Sequence, residues 1–217
     1  LLDLDNTLVD RDAAFRSAAE AFLCEHGLPA SDIDWLLGVD ASGYRPRSEV
    51  AETLRARYPL IDQDAVWRFL DRGAADRVRL TEPNRAALRM AVAHGWTPVV
   101  VTNGSVRQQE TKLRVSGLDQ EVAGWVISEA VGCRKPDPEI FAAAASIAGA
   151  DLDDGGWLVG DAPHADIGGA FGVGLCSVWL HLGRTWPAEL SYRPTHVADD
   201  LAAALACLTG VAQRVRE

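Results

Sequence analysis

The sequence predicts an α/β protein: a parallel sheet with helices on both faces, plus an all-helical insert after the first strand. Three observations support this. Beyond Leu80, short apolar runs alternate with segments of helical period, the rhythm of βαβ units. Residues 11–79 show helical spacing and no strand pattern. A chain of 217 residues is long enough for one α/β core, residues 1–10 and 80–217, with a smaller insert over 11–79.

The chain opens on "LLDLDNTLVD", where Leu1, Leu2 and Leu4 suit a buried strand that runs into Asp3 and Asp5. Leu1-Leu2 is short for a central strand, and a few residues are expected ahead of it. In the insert, Phe15, Ala18, Ala19, Phe22, Leu23 and His26 mark a first helix that Gly27 stops. Ser31 with Asp34 reads as the cap of a short helix carrying Ile33, Leu36 and Leu37. Residues 38–47, "GVDASGYRPR", read as a loop. Val50, Leu54 and Tyr58 mark a third helix, and Val66, Phe69 and Leu70, before Gly73, a fourth.

In the core, "TEPNRAALRMAVAHG" is a helix capped by Thr81 and stopped at Gly95. "PVVVT", "WVIS", "WLVGD" and "LCSVWL" read as strands. "SVRQQETKLRVSG", "DPEIFAAAASIAG", "HADIGGAFG" and "ADDLAAALACL" read as the helices between and after them.

Composition narrows the function. An apolar content of 48% with 24% charged residues is that of an ordinary globular protein. A net charge of −10 argues against nonspecific nucleic-acid binding, which needs cations to neutralise phosphates. No apolar run is long enough to span a bilayer, and no signal peptide is visible. Cys24, Cys133, Cys176 and Cys207 lie far apart without metal spacing and read as reduced, mostly buried thiols of a cytoplasmic protein.

Ligands of open parallel sheets bind beyond the carboxyl ends of the strands, so those ends carry the functional reading. Asp3 and Asp5 at the first end fit two readings: a capped turn, or a pair of acids that bind a hard cation or divide nucleophilic and proton-transfer work. The "PVVVT" strand ends in Thr102-Asn103-Gly104 before a helix, either a good cap or a seat for phosphate. Lys135 stands before a proline-started helix in a chain of nineteen arginines and two lysines, Lys112 and Lys135. It is either a solvated loop residue or a compact point charge that the site requires. "WLVGDAPHADI" ends a strand in Asp161, with Asp166 five residues on. Two acidic strand ends in one sheet repel unless a cation or a lysine lies between them.

The ordered set DxDxT, hhhTNG, KPDPxIF and hhGDxxxxDI, spread over nearly the whole chain, resembles the haloacid dehalogenase-like (HAD) hydrolase superfamily. The insert between the first two motifs is similar to the helical cap of subclass I. The resemblance implies a Rossmann-like parallel sheet and phosphatase chemistry. It implies Asp3 as the nucleophile that forms an aspartyl-phosphate, and Asp5 as the acid/base. It implies Mg²⁺ held by the side chains of Asp3 and Asp161 and the main-chain carbonyl of Asp5, with Asp166 supporting from outside or through water. Thr102 and the amides of Asn103 and Gly104 would hold phosphoryl oxygens, and Lys135 would neutralise nucleophile and phosphate together.

Within the family, Asp5 argues against the metal-free dehalogenases, which lack an aspartate there. Residues 11–80 contain no lysine for the Schiff base of phosphonate hydrolysis. A phosphomutase resembling β-phosphoglucomutase stays open beside hydrolysis. A non-catalytic binding protein would be marked by a lost motif residue, and none is lost. The expected partner is a small phosphorylated metabolite, chosen by the insert; oligomeric state is not legible. Arg45 or Arg47 in the 38–47 loop either pairs with a second anion on the substrate or is solvated. The insert's hinges are expected near Asp10–Asp12 and Arg79–Glu82. His164 reads as exposed, and Trp179 and Trp186 as packing residues.

Overall fold

A computed structural model describes residues 1–214. The chain divides into two compact units, Asp10–Arg79 and Leu1–Val9 together with the chain from Leu80 onward.

The first of these is helical. Helix α1 (Arg11–Glu25) is capped by Asp10, whose carboxylate accepts from the Ala13 amide at 2.8 Å. It buries Phe15, Ala18, Ala19, Phe22 and Leu23 along one stripe. Helix α2 (Ile33–Asp40) follows a 3₁₀ turn and has no side-chain cap. Asp34, expected as part of a capping pair, instead meets Arg16 at 3.2 Å. The expected loop 38–47 also needs correction, because α2 runs on through Gly38, Val39 and Asp40. Val39 and Asp40 are buried, and tertiary contacts there outweigh the low helix propensity of Gly38. A 3₁₀ turn over Ala41–Gly43 then leads to α3 (Arg47–Arg57) and α4 (Gln63–Arg72). Phe69 of α4 stacks on Phe22 with ring centroids 4.6 Å apart, closing the core of this unit.

The second unit is α/β. Helix α5 (Glu82–Ala93) is capped by Thr81 and leads to strand β1 (Val99–Thr102). Then come α6 (Val106–Ser116), β2 (Gly124–Ile127), the short α7 (Ser128–Val131) and α8 (Pro138–Ile147). Strand β3 (Trp157–Gly160) is followed by a wide π turn, Pro163–Gly168, and one α turn, α9 (Gly169–Gly172). Strands β4 (Cys176–Leu180) and β5 (His196–Ala198) and helix α10 (Leu201–Arg214) complete it. The sequence reading missed β5, three residues at the sheet edge with two of them exposed, and α7, a single turn.

All strand pairs are parallel: β1 with β2, β3 with β4, and β4 with β5. The opening segment joins the two halves. Leu2 exchanges bonds with Val99 and Val101 of β1 at 2.9 and 2.8 Å, while Asp3 donates to Val159 of β3 at 2.9 Å. This gives the order β2–β1–opening segment–β3–β4–β5, with Asp3 and Asp5 leaving the centre of the sheet. Val99 and Val101 pack with Ile140, Phe141 and Ala144 of α8 and Ala170 of α9. The alternation of a strand turns Val100 to the opposite face. Helix α10 packs on α5 and on β4 and β5, so helices lie on both faces.

One expectation about the thiols fails. All four cysteines are free, but Cys24, Cys176 and Cys207 are exposed and Cys133 is half-buried. Cys176, for example, is the first residue of β4, ahead of the four that enter the core.

Candidate active site

Four segments deliver side chains to the carboxyl ends of the central strands. Asp3 leaves the opening segment, Thr102 ends β1, Lys135 precedes α8, and Asp161 follows β3. Asp3, Asp161 and Lys135 are each at most 6% exposed, and Asp166 is fully buried. The Lys135 ammonium bridges two carboxylates, Asp3 Oδ1 at 2.5 Å and Asp166 Oδ1 at 2.7 Å. Asp166 folds back from the π turn so that its other oxygen accepts from the Ala162 amide at 2.9 Å. This close return needs Gly160, because a Cβ there would lie 2.3 Å from Asp166 Oδ2.

Burial and mutual charge shift the titration of this cluster. Burial, reinforced by the charges of Asp166 and Asp161, pushes Asp3 well above the usual carboxylate range despite Lys135. Burial and then Asp166 raise Asp161 to about 6, although Arg184 donates to its Oδ2 at 3.0 Å and to its carbonyl at 2.7 Å. Desolvation works against the charge of Lys135, but Asp166 and Asp3 outweigh it and hold its pKa above that of an ordinary lysine.

The phosphoryl seat expected at Thr102-Asn103-Gly104 is built by side chains that tie it to its neighbours. Thr102 is buried and its Oγ1 accepts from Gln109 Nε2 at 2.6 Å. Asn103 and Lys135 exchange two bonds: the Lys135 amide donates to Asn103 Oδ1 at 2.9 Å, and Asn103 Nδ2 donates to the Lys135 carbonyl at 3.0 Å. The Gly104 amide donates to Ser128 Oγ at 3.0 Å, a partner that the expected role for this amide did not include.

The Asp5 carboxylate meets side chains of α6. Both of its carboxylate oxygens accept from Lys112 Nζ, at 2.6 and 2.8 Å, and Oδ2 lies 3.2 Å from Gln109 Nε2. Lys112 and Gln109 were not among the expected site residues. Both sit on one face of α6, three residues apart, and Lys112 is half of the chain's lysine content, a signal as plain as that of Lys135. Arg45 and Arg47 belong to the helical unit, where Arg47 Nη1 donates to Asp40 Oδ1 at 2.8 Å. His164 is exposed, whereas Trp179 is buried and donates to the Asp161 carbonyl at 2.9 Å.

The cluster fits a divalent cation. Asp3, Asp161 and Asp166 each offer an oxygen, all within 4.8 Å of one another. Against these three acids stand Lys135 and Arg184, which leaves one negative charge in excess. A hard dication with oxygen ligands would reverse that excess to a positive charge suited to a phosphate dianion. Both oxygens of Asp166 already have partners, so Asp3 and Asp161 are the side chains best disposed to ligate.

Comparison with known proteins gives the family. Residues 132–204 match the HAD-hydrolase-like family. The chain is 35% identical over 203 residues to the glyceraldehyde 3-phosphate phosphatase of Pyrococcus abyssi, covering 84% of this chain and 80% of the relative. It is 31% identical over 218 residues to the plasmid phosphoglycolate phosphatase of Cupriavidus necator, covering 96% and 92%. The fold is similar to that of the magnesium-bound HAD hydrolase YfnB of Bacillus subtilis, with a TM-score of 0.73, 23% identity, and coverage of 95% and 96%. The chain belongs to the HAD-like hydrolase superfamily, as a member of its phosphatase type.

Proposed function

We propose that this phosphatase hydrolyses small phosphomonoesters with Mg²⁺ and through an aspartyl-phosphate on Asp3. The observation that carries the reading is the Lys135 ammonium seated between Asp3 and Asp166, with Asp161 beside them, at the carboxyl ends of the central strands. Asp3 and Asp161, with the Asp5 carbonyl, would hold the ion, and Asp166 would orient Lys135 rather than ligate. The bound ion would draw charge from the phosphoryl oxygens and lessen their repulsion of Asp3.

A carboxylate oxygen of Asp3 attacks phosphorus, and the bond to the leaving oxygen breaks as Asp5 gives that oxygen a proton. Asp5, now ionised, takes a proton from water; the water oxygen attacks the same phosphorus, and inorganic phosphate leaves Asp3 free. Thr102, from the end of β1, donates to a phosphoryl oxygen, and Lys135 offsets the charge of nucleophile and phosphate together.

The helical unit would act as a cap that selects the substrate, with the segment around Arg45 and Arg47 as its specificity element. The two phosphatase relatives are named for small phosphorylated molecules, which supports that substrate class here. Among the described residues no helix is long and apolar enough to cross a membrane, and a cytoplasmic placement is proposed with it. The test is phosphate release from a panel of phosphorylated metabolites, with Mg²⁺ and with excess chelator. Release that is equal in both conditions, or absent throughout, would refute the reading.

A further inference from the structure

Each of the two lysines meets a carboxylate of the first motif. Lys135 meets Asp3, and Lys112 meets Asp5. The second pair has no place in the chemistry set out above. Lys112 is 5% exposed, and an ammonium is costly to bury unless a partner answers it. Here one carboxylate answers it with both oxygens, at 2.6 and 2.8 Å. A neighbouring group on the same helix adds a constraint. Gln109 Nε2 lies 3.2 Å from Asp5 Oδ2 and 2.6 Å from Thr102 Oγ1, so one amide nitrogen links the carboxylate to the hydroxyl of the phosphoryl seat.

We infer that Lys112 is a positioning residue for the acid/base. With Gln109, it fixes the Asp5 carboxylate at a set distance from the group that transfers. The argument is geometric. Asp5 stands where the opening segment turns, its backbone bridged to Val9, and its side chain is about a quarter exposed, 26%, so side-chain partners decide its rotamer. A stiff helix bearing both Lys112 and Gln109, begun directly after the phosphoryl seat, supplies two such partners from one rigid element. In the ionised form both oxygens are held, which prevents the pivot that a single contact would allow; when Asp5 carries its proton, the other oxygen still accepts from Lys112.

This inference rests on the reading of Asp5 as the proton donor to the leaving oxygen. Its test is the dependence of kcat/KM on the leaving group, since that ratio reports the step in which the leaving oxygen departs. In Lys112→Met, kcat/KM for an alkyl phosphate such as glycerol 2-phosphate should fall by about tenfold to a hundredfold. For p-nitrophenyl phosphate, whose leaving group needs little protonation, the loss should be several times smaller. Lys112→Arg keeps a cation on the same helix and should recover most of the difference, and it stands in if the methionine variant does not fold. In an Asp5→Asn background, Lys112→Met should add little further loss, because it acts through Asp5.

Equal losses on both esters, or additive losses in the double variant, would overturn the inference and leave Lys112 a structural counter-charge. Unchanged kinetics in Lys112→Met would overturn it too. Absence of Mg²⁺-dependent turnover by the wild type on either ester is a different result: it would refute the phosphatase mechanism itself and this inference with it.

Discussion

Asn103 and Lys135 clasp each other across two segments of the core, side-chain amide to backbone amide and carbonyl. The bonds involve the backbone of Lys135, so they set where its Cα stands and how far its ammonium reaches. Asn103 therefore links the proposed phosphoryl seat at the end of β1 to the charge that bridges Asp3 and Asp166. Asn103→Ala should lower kcat by about a hundredfold through misplacement of Lys135. It should also lower stability by about 1–3 kcal/mol, because a half-buried amide and carbonyl lose their partners. Steady-state kinetics with denaturant unfolding checks both, and a stable variant of normal kcat would refute the coupling.

Asp3→Asn should abolish turnover and retain the fold. The amide is nearly isosteric with the carboxylate and cannot attack phosphorus. The substitution also removes a charge that burial already disfavours, so thermal stability without metal should not fall. Turnover by the pure variant near that of the wild type would show that the nucleophile is elsewhere.

The excess acidity at Asp3, Asp161 and Asp166 makes the proposed metal dependence testable without an assay of activity. Mg²⁺ should raise the melting temperature of chelator-treated protein, and Asp161→Ala should reduce that rise strongly. Activity should vanish in chelator and return with Mg²⁺, and Ca²⁺ should replace it poorly, since its larger coordination shell favours bidentate carboxylates. A melting temperature indifferent to Mg²⁺ would argue that Arg184 and Lys135 alone satisfy the acids.

Much of this arrangement is visible in the residues themselves. The parallel order follows from βαβ alternation, and the sequence alone places Asp3, Thr102 and Asp161 at strand ends and Lys135 ahead of a proline-started helix. What escaped was contact across the fold. Lys112 is conspicuous as one of two lysines, but the acid it meets is visible only when α6 is laid beside the opening segment. Asp40 reads as a loop acid until Arg11 and Arg47 converge on it. The helical extent of α2 failed for the same reason: Gly38 is a local signal to stop, and the burial of Val39 is a tertiary reason to go on. The strand β5 is too short and exposed for its pattern to register.

Glu121 gives a prediction about acid. It receives Arg89 at 2.7 and 2.9 Å and Arg85 at 2.5 Å, joining α5 to the turn before β2. The bonds from Arg89, and then from Arg85, hold its carboxyl below the usual value of 4.5. A depressed carboxyl contributes stability above its unfolded pKa and loses it as pH falls through its folded one. Wild type should therefore melt higher than Glu121→Gln at neutral pH, and the gap should close below about pH 4.5. A gap that persists unchanged in acid would mean that packing, not charge, accounts for the difference.

The last prediction concerns the helical unit. Asp40 is 1% exposed and accepts from four donors: both terminal nitrogens of Arg11, one of Arg47 at 2.8 Å, and the Gly43 amide at 2.9 Å. Arg11 is itself buried, with its guanidinium 4.6 Å from the centre of the Phe15 ring. Removal of one partner from such a cluster leaves an uncompensated charge in the interior. Asp40→Ala should thus destabilise the unit by about 3–5 kcal/mol, a large part of what a unit of this size has to lose. Arg47→Ala should cost much less, because Arg47 is 30% exposed and Arg11 still answers Asp40. Hydrogen exchange resolved along the chain separates the outcomes. Asp40→Ala should raise exchange across α1 to α4 while β1 and β3 stay protected. Equal effects of the two substitutions would mean that Arg11 is not the group that requires Asp40.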